Sequence, residues 1–334
     1  MKTNSTLLNI SRIACVLAFL VIVIGAYTRL SDAGLGCPDW PGCYGRILVP
    51  EEVAHVDAAN AAYPERPLEQ SKAWKEMGHR YVAGTLGLLI LSICILAWLK
   101  TESVNARLLG TALVLLVIFQ ALLGMWTVTL LLKPVIVMSH LLGGMTILGL
   151  LYWMLLRQQG AATISPGRCE PRLFVWAITG LVILVLQILL GGWTSSNYAA
   201  LACPDFPTCQ GSLWPKMDFK EGFILWRGLG IDYEGGVLHG AARTAIHMAH
   251  RIGAAITFIT VFVIAIRAIN ISGGAIRLTG VVMLGLLLTQ ISLGVANVLL
   301  HLPLYIAVAH NGVAALLLLS LVTLLHQSIP IKMN

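Results

Sequence analysis

The chain has 334 residues, of which 57% are hydrophobic and only 11% are charged. An average soluble domain has about 25% charged residues, so this composition excludes a water-soluble globular protein. The net charge of +7 could suggest a nucleic-acid partner, but the basic residues are dispersed and form no single patch. We therefore expect an integral membrane protein that contacts the lipid bilayer and binds no nucleic acid.

Apolar stretches long enough to cross a bilayer recur along the whole chain. About 18 apolar residues in succession suffice for a spanning helix, and lipid cannot satisfy backbone polar groups in any other state. The first stretch follows Lys2 and Arg12 and so resembles a cleaved signal peptide. Its repeat counterpart deep in the chain indicates a retained helix instead. The eight predicted spans are 13–30, 81–99, 108–132, 134–156, 173–193, 246–268, 278–300 and 303–325.

Basic residues are distributed unevenly between the two sides of the predicted bundle. The short outer connections contain only Lys133. The positive-inside rule then predicts that both termini are cytoplasmic and that the chain is a multi-pass protein. The basic residues of the short inner segments are Lys2, Arg12, Lys100, Arg107, Arg157, Arg168, Arg172, Arg267, Arg277 and Lys332.

Two long outer loops, 31–75 and 194–243, are parts of an internal repeat. GAYTRLSDAGLGCPDWPGCYG (25–45) aligns without gaps to GGWTSSNYAALACPDFPTCQG (191–211), with ten of 21 positions identical. Further matches follow in the same order: EMGHR (76–80) with HMAHR (247–251), QALLG (120–124) with QISLG (290–294), and VMSHLLG (137–143) with AVAHNGV (307–313).

The repeat defines the predicted fold class. Each half has an even number of helices, so the two halves are parallel rather than inverted. We predict an all-α integral membrane protein of eight transmembrane helices, arranged as two parallel-repeat four-helix bundles. The predicted halves are residues 1–165 and 166–334.

Four of the nine histidines occupy corresponding positions in the repeat. His79 and His250 lie on the second helix of each half, and His140 and His310 on the fourth, 61 and 60 residues further along. A single intramembrane histidine is often only a buried hydrogen-bonding residue, but polar groups in lipid are costly and tend to be functional. The duplicated register favours one pair of ligands in each half, and each pair could bind a common centre near the outer ends of its helices.

Haem suits such a pair better than zinc does. Structural zinc usually requires four cysteine or histidine ligands, whereas two neutral imidazoles from facing helices suit the axial positions of haem iron. Small residues beside the histidines would leave room for a flat porphyrin: Gly78, Gly84, Gly143, Gly144, Gly253 and Gly312.

Other polar residues near these histidines are candidates for supporting roles. Arg80 and Arg251 follow the second-helix histidines directly and could pair with haem propionates or extend to the lipid headgroups. His247 lies three residues before its neighbour on the same helix face and could support it. We expect surface or local structural roles for the remaining histidines, His55, His239, His301 and His326.

Two cysteine pairs lie in the outer loops at equivalent positions. Cys37 and Cys43 bracket CPDWPGC, and Cys203 and Cys209 bracket CPDFPTC. An outer compartment permits disulfides, and a bridge across such a short loop stabilises it by about 2–3 kcal/mol. The pairs either fasten the loops over the helix ends or act as redox dithiols, and the absence of C-x-x-C spacing favours fastening.

These motifs together resemble the haem A synthase family of respiratory membranes. The likeness covers nearly the whole chain: GAYTRLSDAGLGCPDWPGC after the first helix, EMGHRYVAG on the second, QALLGMWTV on the third, and their counterparts in the second half.

The resemblance implies an oxidoreductase of cytochrome oxidase biogenesis, which oxidises a porphyrin methyl group of haem O to the formyl group of haem A. It implies that His79 and His140 bind the substrate haem, and that His250 and His310 bind a permanent haem b. It also implies a bacterial plasma membrane with the haem sites towards the outer face. A haem O synthase and an unidentified electron acceptor are implied partners, and oligomerisation is left open.

Two other functional classes remain open from the sequence. A dihaem b-type cytochrome would only transfer electrons, and a haem carrier would release haem without any redox chemistry. One asymmetry between the halves favours an enzyme, because the first half has Glu76 where the second has His247. A carboxylate near the substrate could accept protons during oxidation, whereas its structural alternative is an ion pair with Arg80 four residues later.

Overall fold

The structure, a computed structural model, describes residues 5–159, 171–271 and 274–329. The predicted inner-segment residues Lys2, Arg168 and Lys332, and the predicted boundary between residues 165 and 166, lie outside those ranges. The described residues form ten helices: α1 (Ser5–Leu30), α2 (Val53–Ala62), α3 (Gln70–Lys100), α4 (Val104–Thr129), α5 (Pro134–Gln158), α6 (Pro171–Ser196), α7 (Phe219–Gly222), α8 (Gly240–Asn270), α9 (Gly274–Leu299) and α10 (Leu304–Gln327).

Eight of these helices are long and apolar enough to cross a membrane, which confirms the predicted number of spans. They are α1, α3, α4, α5, α6, α8, α9 and α10. The short helices α2 and α7 lie in the two long loops, where the sequence analysis predicted no helix.

The second helix of each half is longer than its apolar stretch. Helices α3 and α8 each have 31 residues, or about 46 Å at 1.5 Å per residue, against a hydrocarbon core of about 30 Å. Their first turns lie outside the apolar stretches predicted from the sequence and pack on the outer loops; Ala73 and Met77 of α3 are buried in one cluster with Cys37 and Cys43. Apolarity alone locates only the part of a helix that lies in lipid.

The two halves have the same helix packing. In the first half, α1 contacts α3 and α5, and α4 contacts α3 and α5; in the second, α6 contacts α8 and α10, and α9 contacts α8 and α10. Each half is therefore a closed four-helix bundle. The halves meet through α1 with α10, α5 with α6, and α5 with α10, around one continuous apolar core.

Two contacts between the halves join residues that are equivalent in the repeat. Arg29 Nη2 donates to the carbonyl of Ser195 at 2.8 Å, and Tyr198 Oη donates to Asp32 Oδ1 at 3.4 Å, each across 166 residues. A residue that contacts its own counterpart lies near the axis relating two copies. These contacts are consistent with parallel halves about an axis along the helix bundle.

Each outer loop is closed by a disulfide and an aspartate. The structure joins Cys37 to Cys43 and Cys203 to Cys209. In the second loop, Asp205 accepts hydrogen bonds from the Thr208 hydroxyl and from two backbone N–H groups, and these lower the pKa of its carboxyl to about 2. The loops are thus compact units fastened at the start of α3 and α8.

Candidate functional site

The structure brings the two histidines of each half together. His79 on α3 and His140 on α5 lie close enough for a charge on one ring to affect the other, and the same is true of His250 on α8 and His310 on α10. The second pair lines one cavity between the helices. All four rings are partly buried, so two imidazoles converge in the interior of each bundle.

A glycine on the adjacent helix accommodates each of the four rings. A Cβ added at Gly25 would lie 2.8 Å from His79 Cε1, and one at Gly191 would lie 3.2 Å from the equivalent atom of His250. The fourth-helix histidines repeat the arrangement: a Cβ at Gly124 or Gly294 would lie 3.3 or 3.2 Å from Cε1 of His140 or His310. A Cβ at Gly25 would therefore require the ring to shift, and one at any of the other three positions would require the ring to move by a few tenths of an ångström.

These four glycines are identical between the repeats and lie in the matched motifs, but the sequence alone did not indicate that they contact the rings. Of the small residues that the sequence analysis did name, Gly78 and Gly84 adjoin open space, and Gly143 and Gly253 adjoin glutamine side chains. Identity at matched positions in both halves was the signal that could have identified the four glycines beside the rings.

Three of the four imidazoles have a nitrogen without a partner. The Nδ1 atoms of His79, His140 and His310 are buried and form no hydrogen bond. An unpaired buried polar atom costs about 1–3 kcal/mol, so these rings are suited to a further ligand. No group of three or more His, Cys, Asp or Glu side chains within the described ranges could hold a metal ion. Two imidazoles per half fit axial ligation of a haem rather than a tetrahedral zinc site.

Glutamines accompany the histidines in both halves. Gln120 Nε2 donates to the carbonyl of His140 at 2.6 Å, and Gln290 Nε2 lies 3.2 Å from His310 Nε2. Gln187 of α6 approaches the remaining second-half histidine, His250, with its Nε2 3.0 Å from the ring Nδ1. Gln120 and Gln290 open the matched motifs QALLG and QISLG, but no role was predicted for them from the sequence, and Gln187 was not singled out.

Glu76 is a buried carboxylate that fastens the first outer loop. It is 5% exposed, its Oε2 accepts the backbone N–H of Cys37 at 2.9 Å, and its Oε1 pairs with Arg80. The i+4 ion pair expected on structural grounds is therefore present. The carboxylate lies one helical turn before His79 on α3.

His247 makes the equivalent contacts in the second half. Its Nδ1 lies 3.3 Å from the backbone N of Cys203, and its Nε2 lies 3.2 Å from Arg251 Nε. A neutral imidazole accepts at one nitrogen only, so the hydrogen bond to the Cys203 N–H leaves the arginine in contact with the ring without a second hydrogen bond. The role expected for His247 was support of His250. That role stays a prediction. Its contacts to Cys203 and Arg251 give His247 the same position as the first-half carboxylate.

Both arginines after the second-helix histidines bind loop carbonyls. Arg80 Nη1 donates to the carbonyls of Asp39, at 3.0 Å, and Gly42. Arg251 donates to the equivalent carbonyls of Asp205 and Thr208, both at 2.8 Å. Most of the guanidinium N–H groups are therefore engaged by the protein, and only some remain for a ligand.

The other four histidines lie apart from these pairs. His55 faces Glu52 and His239 faces Asp218 in the outer loops, His301 is exposed at the α9–α10 turn, and His326 packs edge-on against Trp153. Their surroundings agree with the expected surface or local structural roles.

The two halves interlock above the first histidine pair. Lys133, at the turn between α4 and α5, is 2% exposed. It donates to the carbonyl of Gly228 in the second-half loop, and its Nζ lies 3.4 Å from the centre of the Trp226 ring. Burial lowers the pKa of Lys133. The second half thus contributes to the outer cover of the first.

A sequence model of the family described as cytochrome oxidase assembly protein, COX15-CtaA, matches residues 9–322. The haem A synthase of Shewanella oneidensis is 48% identical over 313 residues, which are 94% of each chain. The chain belongs to the haem A synthase family.

More distant members of the haem A synthase family match over similar lengths. The haem A synthase of Methylobacterium radiotolerans is 27% identical over 90% of this chain and 84% of its own. That of Bacillus licheniformis is 25% identical over 92% of this chain and 91% of its own. The likeness therefore extends over most of the chain, including both halves.

Proposed function

We propose that the protein is an oxidoreductase that converts haem O to haem A in a bacterial plasma membrane. One porphyrin methyl group becomes a formyl group, a change that removes four electrons and four protons and takes up the oxygen of one water molecule. The observation that carries the proposal is the pair of converging imidazoles in each half of a chain from this family.

The two halves are assigned different haems. His79 and His140 would hold the substrate, haem O, and His250 and His310 would hold a resident haem b. The pairing of two buried imidazoles from separate helices in each half supports haem ligation. The resident haem would supply one-electron redox chemistry, and the acceptor of the electrons would lie outside the chain.

Glu76 is proposed as the group that accepts protons during the oxidation. It is the carboxylate nearest in sequence to His79, and the corresponding position of the other half has an imidazole. The contact that it shares with His247, to the backbone N–H of the loop cysteine, needs no negative charge. The charge of Glu76 is used in the ion pair with Arg80, whereas the neutral His247 contacts the equivalent arginine without a charge.

Arg80 and Arg251 remain candidates for haem propionates through the N–H groups that the loops do not use. A guanidinium presents five N–H donors, and loop carbonyls together with the ion pair occupy most of them. Such a group could bind a carboxylate at the outer end of the site while it holds the loop in place.

The membrane arrangement follows the charge distribution. We propose that both termini face the cytoplasm, and that the disulfide loops and the histidine pairs lie towards the outer face. The disulfides in both loops are compatible with an oxidising compartment.

Haem extracted from the purified protein tests the function. Haem O or haem A together with haem b, and conversion of added haem O to haem A, are expected. Haem b alone, with no conversion, would favour an electron-transfer cytochrome. Reversible loss of unmodified haem would favour a carrier.

A further inference from the structure

The side chain of Gln187 contacts one axial-ligand candidate at two points. Its amide Nε2 lies 3.0 Å from Nδ1 of His250 and 3.0 Å from the backbone carbonyl of the same residue. Its Oε1 is buried and has no hydrogen-bond partner. Gln187, His250 and His310 all line one cavity, so the amide lies beside the ring within the site.

A glycine on α8 makes this position of Gln187 available. A Cβ added at Gly253 would lie 2.3 Å from Gln187 Oε1, a distance that no side chain could accept without displacement of the amide. The observed position of the Gln187 side chain therefore depends on the absence of a side chain at Gly253.

The first half has two valines at the positions equivalent to Gln187 and Gly253. With the offset of 166 that relates 25–45 to 191–211, Gln187 corresponds to Val21; with the offset of 171 that relates 76–80 to 247–251, Gly253 corresponds to Val82. Valine offers no hydrogen bond, and Nδ1 of His79 is buried without a partner. The two sites thus differ in what holds the ring of the second-helix histidine.

We infer that Gln187 is a positioning residue that makes the second-half site the permanent one, and that its absence from the first half leaves His79 free to release its haem. The inference rests on the proposed function. It gives a physical reason for the assignment of substrate and resident haem to the two halves.

The chemistry follows from the tautomer of the ligand. Ligation of iron through Nε2 leaves the ring proton on Nδ1. In the structure the donor Nε2 of Gln187 faces both Nδ1 and the carbonyl of His250. With haem bound, the amide would have to turn so that its otherwise unpartnered Oε1 faces the Nδ1 proton, with loss of its bond to that carbonyl. A hydrogen-bond acceptor at Nδ1 fixes the tautomer and the ring orientation and makes the imidazole a stronger donor to iron.

Replacement of Gln187 by the apolar and similarly long methionine tests this role. We expect Gln187→Met to weaken retention of haem b by about 10–100-fold, the usual effect of losing such a partner. The midpoint potential of the haem that remains should become more positive, because a less basic imidazole stabilises ferric iron less. A residue that only fills space would leave that potential unchanged.

The reciprocal variant provides an independent measurement in case Gln187→Met does not fold. Val21→Gln combined with Val82→Gly installs the pair in the first half. It should slow release of haem from that half while the potential of the second-half haem stays as in the unaltered protein.

Two kinds of failure can be distinguished. If the unaltered protein holds no haem that depends on His250 and His310, the proposed function fails. If it holds that haem, and Gln187→Met retains it equally well at the same potential, only the inference about Gln187 is overturned. Unchanged haem release by the Val21→Gln, Val82→Gly variant would overturn the corresponding claim about His79.

Discussion

Glu76 and His247 occupy equivalent positions in the two halves and hold the same backbone group. Each accepts the N–H of the first cysteine of its loop, at 2.9 Å for the carboxylate and 3.3 Å for the imidazole, and each contacts the arginine four residues later. The two side chains share the same contacts, but one is a carboxylate and the other is an imidazole. That difference separates an anchoring role from a role in the reaction.

Substitution of Glu76 by glutamine should stop the reaction without emptying either site. The amide oxygen can still accept the Cys37 N–H, so the loop should stay in place, but the amide cannot take up a proton. We expect conversion of haem O to fall by about 10²–10⁴-fold, the typical contribution of a general base, and a hydroxylated intermediate to accumulate. Haem content and product ratio, measured by mass analysis of extracted haem, check this.

His247→Gln is the matched control for Glu76→Gln. It makes the same replacement at the equivalent anchoring position and should leave conversion nearly unchanged. A normal yield of haem A from Glu76→Gln would remove Glu76 from the reaction and leave it an anchor of the loop.

Alanine in place of the glycines beside the rings should disturb one site at a time. Gly25→Ala would place a Cβ 2.8 Å from His79 Cε1, and Gly191→Ala one 3.2 Å from His250 Cε1. We expect the first to impair binding of the substrate haem and the second to reduce the haem b signal, as measured by optical spectra of the reduced protein.

Gly84 and Gly285 provide controls for these alanine variants. Both are helical, and nothing lies within 4 Å of an added Cβ, so alanine there should be neutral or stabilise the helix by about 0.5–1 kcal/mol. If Gly191→Ala bound haem b as well as Gly285→Ala does, the ring would not depend on that glycine.

The outer cysteines should resist thiol reagents in the native, non-reduced protein. Mass mapping should find Cys37 joined to Cys43 and Cys203 joined to Cys209, as the structure has them. Replacement of both members of a pair by serine should destabilise that loop by about 2–3 kcal/mol. Ready labelling, or a bridge between the loops, would contradict the fastening role.

Reporter fusions test the orientation in the membrane. A reporter near Gly45 or Gly211 should report the outer compartment, and one near Arg107 the cytoplasm, because basic residues are concentrated in the short inner segments. The same cytoplasmic result is expected near Arg168, which lies outside the described residues. The reverse pattern would put the histidine pairs on the cytoplasmic side.

The sequence predicted the eight spans and the histidine pairs because both depend on patterns that repeat. Apolarity locates the lipid-buried part of each helix, and the register of the repeat brings His79 and His250 to equivalent places. It did not predict the first turns of α3 and α8, which extend beyond the apolar stretches and pack against the loops. The contacts of Arg80 and Arg251 to loop carbonyls also depend on the folding of distant segments.

Residues that differ between the two halves were harder to recognise in the sequence than residues that are identical in both. Gln187 was not singled out because an isolated glutamine in an apolar helix has no distinctive pattern. Its importance depends on the packing of α6 against α8, where Gly253 leaves room for the amide beside His250.

The most direct test of the central claim is the haem content of four purified alanine variants. The account predicts that His250→Ala and His310→Ala lose haem b, since a low-spin haem needs both axial imidazoles. His79→Ala and His140→Ala should keep haem b but lose haem O and haem A. His326→Ala is the control and should match the unaltered protein. Retention of haem b by His250→Ala and His310→Ala, or its loss from His326→Ala, would contradict one bis-histidine site in each half.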